Sequence, residues 1–283
     1  MIRWQLRCAA VLVASVTVAV EVVVAPPAAV AQVRNLEVVS ELSPIGPENS
    51  KTVSVDCPED KVVIGGGGFV SPATEESHEV LLTALVPQRT RYTATGEKRV
   101  PGTSTNWVVR VIAICGTEPA GYRIRPTTMR TTNPELSVTS PCPGQQVAGT
   151  GAAISGASFG EARLQTVTPQ RAVDGAFAEA TLLSVFRPTW SLTTHAVCMD
   201  RQNAFFVDFE SSPRTSDAVK SESVTCDIGA LVHGAGARLD APPGVAIAGI
   251  IPTVNLRTVS VFAVESVATS STWRIFAEAN CGA

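Results

Sequence analysis

Aromatic residues are scarce in this chain of 283 residues: they make up 5%, with four tryptophans and two tyrosines. A platform of exposed rings, the usual way to hold a sugar, has little to draw on. Charge is also scarce, at 17%, and the net charge of −3 carries no basic surplus. That balance argues against nucleic acid as a partner. The three histidines are scattered along the chain and show no ligand spacing for a metal. Beyond residue 31 no apolar run approaches the ~20 residues of a membrane helix. No window of about 11 residues there holds a convincing helical period.

The N-terminus is rich where the rest is poor. Arg3 and Arg7 precede an almost wholly apolar stretch, Ala9 to Val20. Pro26 and Pro27 follow, and then the small residues of Ala29-Val30-Ala31. This pattern reads as a signal peptide over residues 1–31, cleaved before Gln32. Glu21 and the prolines break the run and argue against a membrane anchor. Cys8 lies before the apolar stretch and is not placed for lipid attachment. The expected destination is secreted, outside the cell.

Cleavage leaves six cysteines, and their placing is the strongest signal in the chain. Trp107 precedes Cys115 by eight positions, as Trp190 precedes Cys198 and Trp273 precedes Cys281. The period is 83 residues both times. Cys57, Cys142 and Cys226 open the three units. Residues 32–283 therefore divide into repeats at 32–117, 118–200 and 201–283. Six cysteines allow 15 pairings; the repeat favours Cys57–Cys115, Cys142–Cys198 and Cys226–Cys281, a disulfide set suited to an exported protein.

Each repeat reads as strand after strand. In the first, TVSVDC (52–57), KVVIGGGG (61–68), EVLLTALVP (79–87) and NWVVRVIAIC (106–115) are rich in β-branched residues and bounded by Pro, Gly and Asn. On the last strand Trp107, Val109, Val111, Ala113 and Cys115 share one face, expected inward, with each indole near its own disulfide. The opposite face, with Arg110, Thr193, His195, Arg274 and Glu278 in the three copies, is expected to be wet. After the first cysteine comes a glycine cluster: GGGG (65–68), Gly149-Thr150-Gly151 and Gly234-Ala235-Gly236. Such glycines admit another backbone or a large ring, and the unit's own tryptophan is the expected occupant.

These runs, CPEDKVVIGGGG (57–68), CPGQQVAGTG (142–151) and CDIGALVHGAG (226–236), each closed by Trp and Cys, resemble repeats in secreted actinobacterial proteins of no assigned activity. The resemblance covers the mature chain and implies export and fold, but no catalytic residues. More loosely, the pattern is similar to the β-prism of the vitelline membrane outer layer protein I family, whose units are shorter. The expected fold is all-β, with three pseudo-symmetric sheet repeats in one β-prism-like domain. The alternative is three tandem small β-sandwiches, disfavoured by the short joins Cys115 to Tyr122 and Cys198 to Phe205.

No residue cluster declares a reaction. Gly156-Ala157-Ser158-Phe159-Gly160 spells a nucleophile elbow but lacks the helix that should follow. His78, His195 and His233 have no partner by spacing and read as surface residues. Glu75, Glu76 and Glu79 lack the rhythm of a calcium loop. The variable loop 87–106, with Arg89, Arg91, Lys98 and Arg99, could face an acidic polymer. No catalytic residue, cofactor or metal is expected. The expected function is a secreted, non-enzymatic protein with a structural or interaction role at or outside the cell envelope, its partner an envelope polymer or an extracellular protein. The alternatives are an exported hydrolase with a loop-built site, or a lectin-like glycan-binding module.

Overall fold

Valine, isoleucine, alanine and threonine fill the segments between the glycine and proline turns, and nearly every such segment is a strand. The computed structural model describes residues 33–72, 80–99, 104–157, 160–170, 174–183 and 188–283; the leader expected at 1–31 lies outside them. The first unit contributes β1 (Glu37–Leu42), β2 (Ser50–Asp56), β3 (Lys61–Pro72), β4 (Val80–Pro87), β5 (Arg91–Lys98) and β6 (Trp107–Thr117). The second contributes β7 (Arg123–Thr131), β8 (Glu135–Pro141), β9 (Gln146–Ser155), β10 (Ala162–Gln170), β11 (Gly175–Leu182) and β12 (Trp190–Met199). The third contributes β13 (Phe205–Ser211), β14 (Val219–Thr225), β15 (Leu231–Asp240), β16 (Val245–Pro252), β17 (Thr258–Glu265) and β18 (Arg274–Gly282). Among the described residues there is no helix, so none is long and apolar enough to cross a membrane.

The strands form three six-stranded antiparallel sheets, and every sheet mixes two units. The orders are β1-β6-β3-β16-β17-β14, β2-β5-β4-β9-β12-β7 and β13-β18-β15-β10-β11-β8. Each unit thus splits into two three-stranded halves that lie in different sheets. Tandem sandwiches are excluded, because their sheets would be closed within a unit. The halves meet along seams of only two residue pairs: Phe69 and Gly68 with Gly249 and Ile250, Ala84 and Leu85 with Ala153 and Ala152, and Thr166 and Val167 with Arg238 and Ala237.

The three disulfides are Cys57–Cys115, Cys142–Cys198 and Cys226–Cys281. Cys57 follows β2 in the second sheet, while Cys115 lies on β6 in the first. Cys142–Cys198 joins the third sheet to the second in the same way, and Cys226–Cys281 joins the first to the third. A bridge that is local to one unit is therefore a bridge between two sheets, and the three together tie all three sheets into a ring.

The glycine clusters lie where the units touch. A Cβ on Gly65 would stand 2.3 Å from His233 O of the third unit. One on Gly149 would stand 2.3 Å from Ile64 O of the first, and one on Gly234 would stand 2.1 Å from Ala148 O of the second. Ile64, Ala148 and His233 are the extra residues of a β-bulge repeated in all three units, which turns their carbonyls toward the neighbouring strand. The occupant of the glycine notch is thus another unit's backbone, not an indole.

The tryptophans are buried, at 0%, 1% and 0% exposure. They are not beside their disulfides. Eight residues of extended strand separate each indole from its cysteine by roughly 26 Å, so the two share a face but sit at opposite ends of it. Each indole N–H is satisfied locally: Trp107 donates to Glu48 O at 2.7 Å, Trp190 to Asn133 O at 2.8 Å and Trp273 to a Glu265 carboxylate oxygen at 3.0 Å.

Two further expectations need correction. Residues 91–98 are strand β5, with Tyr92, Ala94, Gly96 and Lys98 turned inward; this stretch of the expected loop 87–106 is a hairpin arm. The face of the last strand opposite the tryptophan is wet only in part. Ile112, Ile114, Val197, Glu278 and Asn280 are all buried on it.

Candidate functional site

A threefold frame makes departures from it conspicuous. At the start of the glycine strand, Val62 faces Gly116, Gln146 faces Met199 and Leu231 faces Gly282. Opposite the first axial glycine stand Ile114, Val197 and Asn280. Two positions that are aliphatic in the other copies are thus amides, once in the second unit and once in the third. Gln146 and Asn280 line the same cleft of about 320 Å³, between the start of β9, the edge strand β13 and the end of β18.

Both amides are held at one end by backbone. Asn280 Nδ2 donates to Val147 O at 3.1 Å and Ala148 O at 2.9 Å. Gln146 Oε1 accepts from the Gln202 N–H at 2.9 Å. These bonds fix which end of each amide is which. Asn280 Oδ1 and Gln146 Nε2 are left buried with no hydrogen-bond partner, on residues only 0% and 8% exposed. Each such group costs about 1–3 kcal/mol relative to a paired one. Phe205, Phe206 and Val207 form the apolar wall, and Asp174 and Arg201, paired with each other, form part of the rim. Asp174 is held at φ +41°, where its carbonyl accepts from the Cys142 N–H at 2.7 Å.

Behind Phe205 lies His233, in edge-to-face contact at 5.0 Å between ring centroids. The sequence suggests a surface histidine; the ring is 2% exposed. Nδ1 lies 2.9 Å from Leu231 O, so Nδ1 carries the proton and donates. Burial pushes the pKa down to about 4, against about 6.5 in an unfolded chain. Above pH 6.5 the ring is neutral in both states and stability is intact. As pH falls toward 4 the unfolded chain takes up a proton that the folded one refuses, and stability drops by about 3 kcal/mol from this residue. Denaturant titrations at pH 7.5 and 4.5 should show the loss. His233→Ile, which copies Ile64 of the first unit, should remove most of it; an unchanged pH dependence would rule out His233 as the source.

The remaining sequence candidates are dispersed. His195 is half-buried on β12, opposite Gly151, where burial lowers its pKa. It shares a shallow groove with Tyr122 and Arg89 and is not brought together with His233. The expected basic surface is largely neutralised: Arg89 pairs with Glu118, Arg91 makes two bonds to Asp56 at 2.7 and 2.9 Å, and Lys98 is buried and donates to Pro47 O. His78, Glu75, Glu76, Glu79, Ser158 and Phe159 lie outside the described residues. The chain matches no protein-family model and no curated protein.

Proposed function

We propose that this is an exported, non-enzymatic protein with an interaction role at or outside the cell envelope, and that the cleft between its second and third units is the point of contact. The leader at residues 1–31 and three disulfides support an oxidising compartment. The observation that carries the interaction role is the pair of amides at Gln146 and Asn280. They replace aliphatic residues of the repeat at one seam, and both residues line one cleft. Each amide leaves one buried polar atom without a partner in the chain, and we take this departure from the repeat as a sign of a contact made with something outside the chain. The resemblance to secreted actinobacterial repeats suits the same reading.

The test is fractionation. The full chain, produced in an actinobacterial host, should leave the cytoplasm with its leader removed and bind isolated envelopes. The double variant Gln146→Val, Asn280→Ile, which restores residues used by the other unit pairs, should be exported equally but retained on envelopes at least tenfold less. Cytoplasmic retention of the parent, or equal envelope binding by both, would defeat the proposal.

A further inference from the structure

We infer that copies of this chain associate head to tail, the margin strand β13 of one pairing antiparallel with the margin strand β7 of the next. Both strands stand last in their sheets and have one neighbour each, β18 and β12. The other side of each offers backbone groups that a further strand can use. The contact borders the cleft through Val207 but uses neither Gln146 nor Asn280, so it does not rest on the interaction reading above.

The backbone decides which residues of each strand point outward. Just past β13 the Ser212 N–H donates to Ile275 O of β18 at 3.0 Å, whereas the Phe209 N–H goes to the side chain of Asp208 at 3.1 Å. Odd-numbered residues of β13 therefore direct their backbone groups away from the sheet. Asp208 faces Ala279 and Arg125 faces Ala196, each two positions before the closing cysteine of its unit. By that correspondence Ile124, Pro126 and Thr128 are the outward residues of β7. Pro126 agrees, because a proline is tolerated where no partner within the sheet needs its missing N–H.

One antiparallel register of these outward residues matches the side chains on both faces. It sets Phe209 against Ile124 and Val207 against Pro126. On the other face it sets Asp208 against Arg125 and Glu210 against Arg123. Apolar meets apolar and acid meets base, the cross-strand pairs that stabilise a sheet. None of the four charged side chains has an ion-pair partner among the described residues, and Arg123, Pro126 and Glu210 are exposed. Phe209 is 58% exposed, a large ring left in water on an open margin. The first unit does not offer the same surface. There β1 has Val39 in the place of Asp208 and Ser40 in the place of Phe209. A contact of β13 with β7 joins two different surfaces, so it can extend from copy to copy.

The experiment is sedimentation velocity on the exported protein over about 5–500 µM. The inference expects the mean mass to rise with concentration at about 0.05 M salt and to fall back at about 0.5 M, where the charge pairs are screened. Two charge-reversed variants, Asp208→Lys with Glu210→Lys and Arg123→Glu with Arg125→Glu, should each associate at least tenfold more weakly than the parent. Mixed in equal amounts they should associate again, with the two kinds of copy alternating. Phe209→Ser, which copies Ser40 of the first unit, should also weaken association while the thermal midpoint holds. A parent that stays monomeric throughout, undiminished association in either charge variant, or no recovery on mixing two variants that keep the parent's thermal midpoint would overturn the inference. Should a charge variant fail to fold, Phe209→Ser decides: association equal to the parent's overturns it.

Discussion

Gly234→Ala should destabilise the protein by about 3–5 kcal/mol, enough to prevent accumulation of a folded product in many expression hosts. The new methyl would lie 2.1 Å from Ala148 O and 2.9 Å from Gly149 Cα. Both obstacles are backbone, so no side chain can swing away. The strand cannot retreat either, because Asn280 on β18 is bonded to the same Ala148 carbonyl. Gly144→Ala supplies the comparison. Gly144 has φ +74° and nothing within 4 Å of its Cβ position, so it should lose only about 1 kcal/mol, from backbone strain alone. Denaturation midpoints of the two variants measure the difference. Equal losses would mean that the axial glycines are there for conformation and not for contact.

The second large effect is expected from the disulfides. Replacing Cys142 and Cys198 together by alanine should lower stability by about 4 kcal/mol, the chain-entropy value for a loop of this length. The bridge spans 56 residues. It also joins the second sheet to the third, close to the axial contacts. The cleft of Gln146 and Asn280 is built on the strands beside it, so the variant should show looser amide protection at the start of β9 as well as a lower midpoint. A midpoint within about 1 kcal/mol of the parent would show that hydrophobic packing holds these two sheets without covalent help.

The repeat, the strand character and the cysteine pairs were legible because they rest on rare residues and short-range alternation. Other features depend on partners distant in sequence. Nothing local in KVVIGGGG announces that Phe69 and Gly68 pair with Gly249 and Ile250 of the last unit. The glycine spacing fits a ring or a backbone equally well, and only the fold decides for the backbone. Strand β5 is hard to read from sequence because its inward face, Tyr92, Ala94, Gly96 and Lys98, includes a small residue and a lysine, which blur the period-two signal. The cleft was hidden by a deletion. Cys142 precedes Gly149 by seven positions, whereas Cys57 precedes Gly65 and Cys226 precedes Gly234 by eight. Counted from the cysteine, Gln146 aligns with Lys61 and looks ordinary; only the paired register sets it against Val62. Asn280 continues the face of Arg274 and Glu278, which is expected to be wet but at this end meets Val147 and Ala148 of the second unit.

The seam between Gly68–Phe69 and Gly249–Ile250 has a bearing on how the molecule comes into being. A chain emerging N-terminus first presents one half of that sheet long before the other exists. The early half must wait, unzipped along its inner margin, until synthesis has passed residue 250. Shutting the circle is thus a late event, and any prematurely terminated product carries a permanently open flank ready to stick to its siblings.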